Sequence, residues 1–148
     1  MLHQPSDRLF FAADQVIARI SPNVSVHPVE PEENPLGDYL RDLKALRAMV
    51  PHDVLVLPGH GLPFHGLHAR IEELIEHHAL RCARIADACR PRPLSAADLV
   101  PALFDRVLDA HQTGFAFGEV MAHINYMCRL GELRHETGGD GIHRYRTI

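Results

Sequence analysis

Short apolar runs alternate with long polar connections in the first half of the chain. The runs at residues 8–13 (RLFFAA) and 53–57 (DVLVL) are typical of buried strands. Between them, Asn34 and Pro35 suit the N-cap and first residue of a helix, whose apolar stripe stops before Pro51. The remaining connection is rich in proline and acidic residues and predicts surface loop, with VIARI and VSV as its only strand-like pieces. Strand, helix and strand in this order indicate part of an α/β layer.

The period of the apolar positions becomes helical in the rest of the chain. They predict a first helix that ends before the prolines at residues 91–93, which are typical of a domain boundary. Ser95 and Asp98 have the spacing of a capping box, and the stripe after them predicts a second helix reaching about Leu108. Pro101 lies inside this helix and should kink it or divide it in two.

The last part of the chain predicts a third helix and a hairpin. Apolar residues at helical spacing run from about residue 116 to 130, and Gly131 follows as a C-cap. The sequence GELRHETGGDGIHRYR then predicts two short strands joined by a Gly-Gly-Asp-Gly turn. Three helices followed by a hairpin are the outline of a winged-helix domain.

Composition and charge disfavour several classes of partner. The 148 residues are 46% apolar, enough for the core of one ordinary domain or two small ones. The net charge is -4, and no run of Lys and Arg provides an electrostatic footprint for nucleic acid or anionic lipid. No segment approaches the roughly 20 apolar residues of a membrane span. We therefore expect a cytoplasmic protein with three reduced thiols: Cys82, Cys89 and Cys128.

A winged helix raises the question of DNA binding, and the charge of this region answers it. Between residues 91 and 148, six arginines stand against seven acidic residues. The third helix, which would enter the groove of the DNA, carries a single arginine at its end. Without several cations to neutralise phosphates, we expect no binding of nucleic acid.

Two polar residues that follow the predicted strands are the candidate functional residues. Asp14 comes directly after the first strand, and His60 lies between Gly59 and Gly61 in VLVLPGHGLPFHG, just after the second. Strand ends of this kind are where α/β layers usually hold ligands, and neither glycine has a side chain to block an approaching group. Aspartate and neutral histidine also suit zinc. On spacing alone, a capping aspartate and a loop histidine remain the simpler interpretation.

The chain holds twelve histidines, an enrichment that favours a metal or acid–base site. His65 and His68 follow His60 closely enough to suggest a three-histidine site, with solvated loop residues as the alternative. His77 and His78 are adjacent on a helix and cannot share a face, so we expect one of them to pack inside. Four further histidines are expected at the surface or in caps: His111, His123, His135 and His143.

Several stretches in order along the chain resemble one family. LFFAADQVIARISPNVSV, NPLGDYL, VLVLPGHGLPFHG and RIEELIEHHALR are similar to the C-terminal half of metallo-β-lactamase-fold hydrolases, in the glyoxalase II-like branch. HQTGFAFGEVMAHINYM and GELRHETGGDGIHRYR resemble the winged-helix domain appended to many of them. The resemblance implies a partial αββα sandwich over residues 1–68, followed by a linking helix and winged-helix-like domain over residues 69–148.

The resemblance also implies roles for the two candidate residues. Asp14 corresponds to the metal-bridging aspartate and His60 to the last metal-ligating histidine of such enzymes. There, two zinc, iron or manganese ions hold a hydroxide that attacks a thioester, ester or lactam carbonyl. The H-x-H-x-D-H motif and the middle ligating histidine have no counterpart in this chain. Two residues cannot complete a zinc site, so we expect a C-terminal part of a hydrolase that is inactive alone and binds metal weakly or not at all.

The partners follow from the same resemblance. Half a sandwich exposes an apolar sheet face and open edges, which predicts a homo-oligomer or pairing with the missing N-terminal half. An intact enzyme would take a small-molecule acyl substrate. The alternative function is a non-catalytic module for protein interaction or structure, in which the winged helix mediates the contact.

Overall fold

Four helices and five short strands make up the protein, which confirms the predicted mixed α/β class. The structure is a computed structural model that describes all 148 residues. The elements in chain order are β1 (Leu2–Gln4), β2 (Leu9–Ala13), α1 (Pro35–Met49), β3 (Leu55–Pro58), α2 (Leu67–Cys89), α3 (Ala96–Leu103), α4 (Ala110–Arg129), β4 (Leu133–Thr137) and β5 (His143–Thr147). None of these helices has the length and apolar character needed to cross a bilayer.

The chain forms two compact units that are interleaved in sequence. The first contains Met1–Pro22 and Tyr39–His77, and the second contains Asn23–Asp38 and His78–Ile148. Helices α1 and α2 therefore contribute residues to both units. The predicted domain boundary after residue 68, between the sandwich half and the linking helix with its winged-helix-like domain, stays a prediction.

The sheet of the first unit has the order β1-β2-β3. Strand β2 pairs antiparallel with β1, which the sequence did not predict, and parallel with β3. A parallel pair needs a crossover connection, and the segment that contains α1 supplies it. Both predicted strands are confirmed, and parallel pairing brings their carboxyl ends to the same edge of the sheet.

The two faces of this sheet differ in burial. His3, Phe10 and Val56 are cross-strand neighbours on one face, where Phe10 and Val56 are buried. A cavity of about 320 Å³ on this face is lined by strand residues together with Leu46 and Met49 of α1. Alternation of side chains along a strand directs the intervening residues to the other face. There, the register aligns Leu2, Phe11 and Leu57, which we call the apolar row.

Helix α1 begins and ends where the sequence predicts. The Asn34 side chain accepts a hydrogen bond from the Gly37 amide at 3.2 Å, as an N-cap does, and the helix ends at Met49, before Pro51. The buried leucines lie at helical spacing: Leu36, Leu40, Leu43 and Leu46. This stripe fixes the rotation of the helix about its axis.

The predicted strand-like pieces VIARI and VSV are not strands. Residues 16–26 have no regular structure, although Val16, Ile17, Val24 and Val26 are buried. The Val26 amide donates to the carbonyl of Gly118 at 3.1 Å instead of joining a sheet. The apolar residues here fill core positions without a strand partner, which periodicity alone does not reveal.

The second and third predicted helices have different limits in the structure. Helix α3 begins at the predicted capping box of Ser95 and Asp98, passes through Pro101 undivided and ends at Leu103, not near residue 108. Helix α4 begins at Ala110, earlier than predicted. The Asp109 side chain accepts a hydrogen bond from the Gln112 amide, and the Gln112 side-chain oxygen accepts one from the Asp109 amide. This is a second capping box, which the sequence reading missed.

The end of α4 and the hairpin agree with the sequence. Gly131 has φ +74°, and the amides of Gly131 and Glu132 donate to the carbonyls of Cys128 and Met127, which is a Schellman motif. Strands β4 and β5 pair antiparallel. Helices followed by a hairpin match the predicted order of elements, and assignment to the winged-helix class stays a prediction.

A buried polar cluster occupies the core of the second unit. Nδ1 of His78 lies 3.1 Å from Nε2 of His123, and Nδ1 of His123 donates to the Glu119 carbonyl at 2.8 Å. Both rings are fully buried. His78 is therefore the inward member of its pair, as predicted, whereas the prediction that His123 is a surface or cap residue is wrong. Its position on the apolar face of α4 between Val120 and Met127 explains the burial.

The same cluster contains an ion pair shielded from water. Nη1 of Arg81 lies 2.9 Å from Oε1 of Glu119, with side chains 16% and 14% exposed, and the contact is electrostatic rather than an aligned hydrogen bond. The Arg81 guanidinium also lies over the Phe104 ring, 4.8 Å from its centroid. Burial raises the pKa of Glu119 above its ordinary 4.5, and the charge of Arg81 partly opposes this effect.

Replacing Arg81 should destabilise the protein strongly. We expect Arg81→Met to lower the free energy of unfolding by about 3 kcal/mol at pH 7.5, because Glu119 would be left buried without its partner. A carboxyl whose pKa is raised on folding stabilises the native state at low pH and loses that contribution as the pH rises through the folded pKa. The destabilisation should therefore shrink at pH 5, as measured by urea unfolding.

Arg90→Met is the matched control for this measurement. Arg90 lies one residue beyond the end of α2 and pairs with Asp87 in the last turn of that helix, but the two side chains are 71% and 69% exposed. Exposed pairs of this kind contribute little, so the control should change stability by less than about 0.5 kcal/mol. Equal effects of the two substitutions would contradict a shielded ion pair at Arg81.

Candidate functional site

Parallel pairing of β2 and β3 brings the two candidate residues into contact. Asp14 follows β2 and His60 follows β3, and Oδ1 of Asp14 lies 2.7 Å from Nδ1 of His60. Their side chains are 55% and 73% exposed. An exposed pair contributes little to stability, so this contact does not explain the fold. It places a carboxylate and an imidazole together at an accessible edge of the sheet.

The backbone around Asp14 is constrained on both sides. Ala13 has φ +49°, in the left-handed region that residues with a Cβ rarely adopt, and the register between β2 and β3 shifts between Phe11 and Ala13. The Gln15 amide donates to the Ala12 carbonyl at 3.1 Å, which closes a turn. The Tyr39 hydroxyl donates to the Gln15 carbonyl at 3.0 Å. This strained geometry points the chain away from the strand and presents Asp14 at its end.

Gly59 makes room for the Asp14 carboxylate. A Cβ at position 59 would lie 2.5 Å from Oδ1 of Asp14, closer than such atoms approach. The Gly59 amide also donates to the Ala13 carbonyl at 2.8 Å, which continues the parallel pairing up to the site. From the sequence, we expected both glycines beside His60 to leave space for a group that approaches the imidazole. The structure gives that role to Gly59, whereas Gly61 serves the turn with φ +84°.

The arrangement defines what each ring nitrogen of His60 can do. With Nδ1 held by Asp14, a neutral ring donates its Nδ1 proton to the carboxylate and leaves Nε2 as the acceptor. A carboxylate in this position fixes the tautomer and the orientation of the histidine ring. The pair can therefore act as an oriented imidazole, or separate so that both groups bind a cation.

The residues around this pair do not complete a metal site by themselves. No group of three or more histidine, cysteine, aspartate or glutamate side chains is arranged to hold a metal ion. Aspartate and histidine are suitable donors, but zinc requires four ligands, of which at least three come from protein in most sites. The side chains of Asp14 and His60 are therefore of the types that bind zinc, but two of them are too few to complete its coordination.

The other histidines near His60 interact with the backbone instead. Nδ1 of His65 lies 3.2 Å from the Val54 carbonyl, and Nε2 of His68 lies 2.7 Å from the Val50 carbonyl. Each of these nitrogens binds a peptide group in the segment that connects α1 to β3. The three histidines form no metal-holding group. His65 is an exposed loop residue, as in the alternative interpretation, whereas His68 is a half-buried residue of α2 and not a loop residue.

A groove runs beside His60 and is formed by two loop segments, residues 17–20 and 60–64. We call it the loop groove, and its volume is about 540 Å³. Arg70 of α2 holds the first segment, because its guanidinium donates to the carbonyls of Ile17 at 2.7 Å and Ile20 at 3.0 Å. Nη1 of Arg70 in turn pairs with Glu73 at 2.8 Å.

Sequence reasoning missed Tyr39 and Arg70, the two residues that hold the loops of the site. Both donate to loop carbonyls far away in sequence, and such contacts leave no local pattern. One indication was available for Tyr39, which lies next to Leu40 in the apolar stripe of α1 and carries a hydroxyl that needs a partner when buried. Burial raises the pKa of this hydroxyl well above its ordinary value, so it remains protonated and donates at all physiological pH values.

A family model and several solved structures of other proteins are similar to the chain. Residues 82–148 match the family model described as the metallo-beta-lactamase-like, C-terminal domain. The chain is 45% identical, with a TM-score of 0.94, to a beta-lactamase domain protein from Burkholderia ambifaria, over 99% of this chain and 43% of that one. It is 29% identical, with a TM-score of 0.81, to a metallo-beta-lactamase family protein from Thermus thermophilus, over 99% and 44%. No curated protein matches the chain.

These comparisons confirm the coarser part of the predicted resemblance. The last part of the chain carries a metallo-β-lactamase-like C-terminal domain, and the fold as a whole matches proteins described with that family name. The chain spans less than half the length of either solved structure.

Filling position 59 should separate the two site residues without unfolding the protein. We expect Gly59→Ala to displace the Asp14 carboxylate and break its contact with His60, because the new Cβ would crowd the position of Oδ1. The nitrogen chemical shifts of the His60 ring should change, with the midpoint of urea unfolding nearly unchanged. Gly139→Ala is the control, since nothing lies within 4 Å of a Cβ there. Unchanged His60 shifts in Gly59→Ala would show that the carboxylate is not held as described.

Proposed function

We propose that this chain is the C-terminal part of a metal-dependent hydrolase of the metallo-β-lactamase superfamily, in the glyoxalase II-like branch, acting on thioesters or related esters. The observation that carries the proposal is the contact of Asp14 with His60 at two adjacent strand ends, in a chain with this family's fold. Residues 69–148 form its linking helix and winged-helix-like domain. In the complete enzyme, a zinc, iron or manganese ion held partly by Asp14 and His60 would supply the Lewis acid for hydrolysis.

This chain's contribution to the site is two ligands and the scaffold that holds them. Asp14 would supply a carboxylate ligand and His60 an imidazole ligand to the metal, and the lack of a side chain at Gly59 leaves room for the Asp14 carboxylate. The remaining ligands come from a polypeptide segment outside these 148 residues. The isolated chain is therefore inactive as a hydrolase, because two donors leave the coordination of the metal incomplete.

The apolar row supports a partner on the uncovered face of the sheet. Leu2 and Phe11 are 63% and 42% exposed, and a further cavity of about 400 Å³ is lined by both of them and by Leu57. Exposed apolar surface of this kind marks a contact surface. The other layer of a sandwich covers it, from the missing half of the enzyme or, in the isolated chain, from a second copy.

A non-catalytic interaction module is the second candidate function. It is favoured by the same exposed row together with the incomplete donor set. The two functions differ in what happens when the rest of the fold is supplied: a hydrolase part gains metal and activity, whereas an interaction module gains only a partner.

Supplying the missing part should restore metal binding and turnover. The purified 148-residue chain should contain less than stoichiometric zinc, iron or manganese and should not hydrolyse a thioester. A fusion to the remaining part of the Burkholderia ambifaria protein should bind metal and hydrolyse the thioester in a chelator-sensitive way. Asp14→Ala or His60→Ala in the fusion should reduce turnover at least about 100-fold, because a ligand is lost.

His111→Ala serves as the control for these variants, because His111 lies on α4, away from the site in sequence, and meets the Phe115 ring edge-on. It should keep full activity. A fusion that binds no metal and has no activity would favour the interaction module. Stoichiometric zinc and chelator-sensitive turnover in the isolated chain would contradict its predicted inactivity.

The apolar row should drive association of the isolated chain. We expect light scattering at micromolar concentration to show a homo-oligomer, and Phe11→Lys to shift it to monomer, because a charge would then lie in the contact. Val107→Lys is the matched control, since Val107 is 98% exposed and lies outside the sheet. A monomeric unsubstituted chain would contradict self-association through this face.

A further inference from the structure

The loop groove has the features of a small-molecule site. Its volume of about 540 Å³ lies within the ordinary range for ligand pockets. Its walls are mostly apolar, and the polar side chains that line it are those of His60 and Arg19. Ile20 and Leu62 lie on opposite segments and are 64% and 79% exposed. Large apolar side chains so exposed beside a functional pair provide a surface for an apolar ligand.

The groove is preformed rather than a gap between loose loops. Two guanidinium hydrogen bonds from Arg70 fix the wall at residues 17–20. The opposite wall is tied to β3, because Val56 and Phe64 exchange backbone hydrogen bonds at 2.8 and 3.1 Å. A rigid groove loses little conformational entropy when a ligand enters it.

Arg19 is the charged group of the groove that has no internal partner. It forms no ion pair or hydrogen bond with the rest of the protein, whereas each of the three guanidinium nitrogens of Arg70 donates a hydrogen bond. An arginine on an apolar groove pairs readily with a carboxylate or phosphate through its planar fork. The charge complement of the groove is therefore an anion attached to an apolar chain.

We propose that the loop groove binds the apolar chain of an acyl substrate that carries an anionic group, and that Arg19 pairs with this anion. The inference rests on the proposed function for the reacting carbonyl, which is placed at His60. It goes further in naming the substrate class: esters or thioesters whose acyl part is an aliphatic chain with a carboxylate or phosphate. Arg70 is a positioning residue that keeps the groove open.

Binding to the 148-residue chain tests the groove without any turnover. Three eight-carbon probes share the apolar chain and differ at the head: octanoate, octyl phosphate and neutral octanamide. We expect both anions to shift the backbone amide signals of residues 17–20 and 60–64 in NMR titrations and to bind about three- to fivefold more tightly than octanamide. A preference between the two anions identifies carboxylate or phosphate as the natural head.

Two substitutions separate the apolar and charged parts of the site. Arg19→Gln should weaken the two anions to the level of octanamide and leave octanamide unchanged. Leu62→Asp should weaken all three probes at least about tenfold, because a carboxylate would then lie on the apolar wall. Arg134→Gln and Val107→Asp, which change exposed residues of the second unit, should leave every affinity unchanged.

The outcomes that overturn the inference differ from those that overturn the proposed function. Equal affinities for octanamide and the anions, or anion binding that survives Arg19→Gln, would overturn the role of Arg19. Absence of binding by all three probes, or occupation of the groove by a second copy of the chain, would overturn the groove as a substrate site. If the probes bind but the fusion holds no metal and has no activity, the groove remains a ligand site and the proposed hydrolase function is wrong.

Discussion

The parallel pairing of β2 with β3 is the constraint on which the candidate site depends. Two residues that are 46 positions apart in sequence come within 2.7 Å because both strands end at the same edge of the sheet. An antiparallel pair would place these ends at opposite edges. The left-handed backbone at Ala13 and the absence of a side chain at Gly59 then determine how closely the two groups approach.

Two helix side chains fix the loops that follow the paired strands. Tyr39 on α1 holds the turn that follows β2, and Arg70 on α2 holds the segment at residues 17–20. Each fixes peptide carbonyls that would otherwise be satisfied only by water, so the loops have a defined shape despite their irregular backbone. The loop groove and the site are thus positioned by the same helices.

The sequence predicted those features that depend on local physics. The cap at Asn34, the capping box at Ser95 and the glycine turn after α4 are each determined by a few neighbouring residues, and all three are present. The candidate residues at the strand ends could also be identified, because an apolar run has a recognisable end. The partner of β2 at β1 could not, since three residues carry too short a pattern.

Long-range burial of polar groups escaped prediction for a different reason. Glu119, His123 and Arg81 are polar residues on helices α2 and α4. Each can be buried only because a polar group on the other helix pairs with it. Sequence spacing on one helix does not reveal that partner. His123 was therefore assigned to the surface, although the hydrogen bonds of both its ring nitrogens make its burial possible.

Two incomplete features of the first unit have a common explanation. The donor set at Asp14 and His60 lacks the further ligands that a zinc ion needs, and the apolar row on the sheet lacks a covering layer. Under the proposed function, the exposed apolar face and the coordination of the metal would both be completed by atoms of another polypeptide segment. A single additional layer packed on the apolar row would lie next to Ala13 and Gly59, which line the same cavity as Leu2 and Phe11. The physical argument for a covering layer and the chemical argument for further ligands therefore converge on one edge of the sheet.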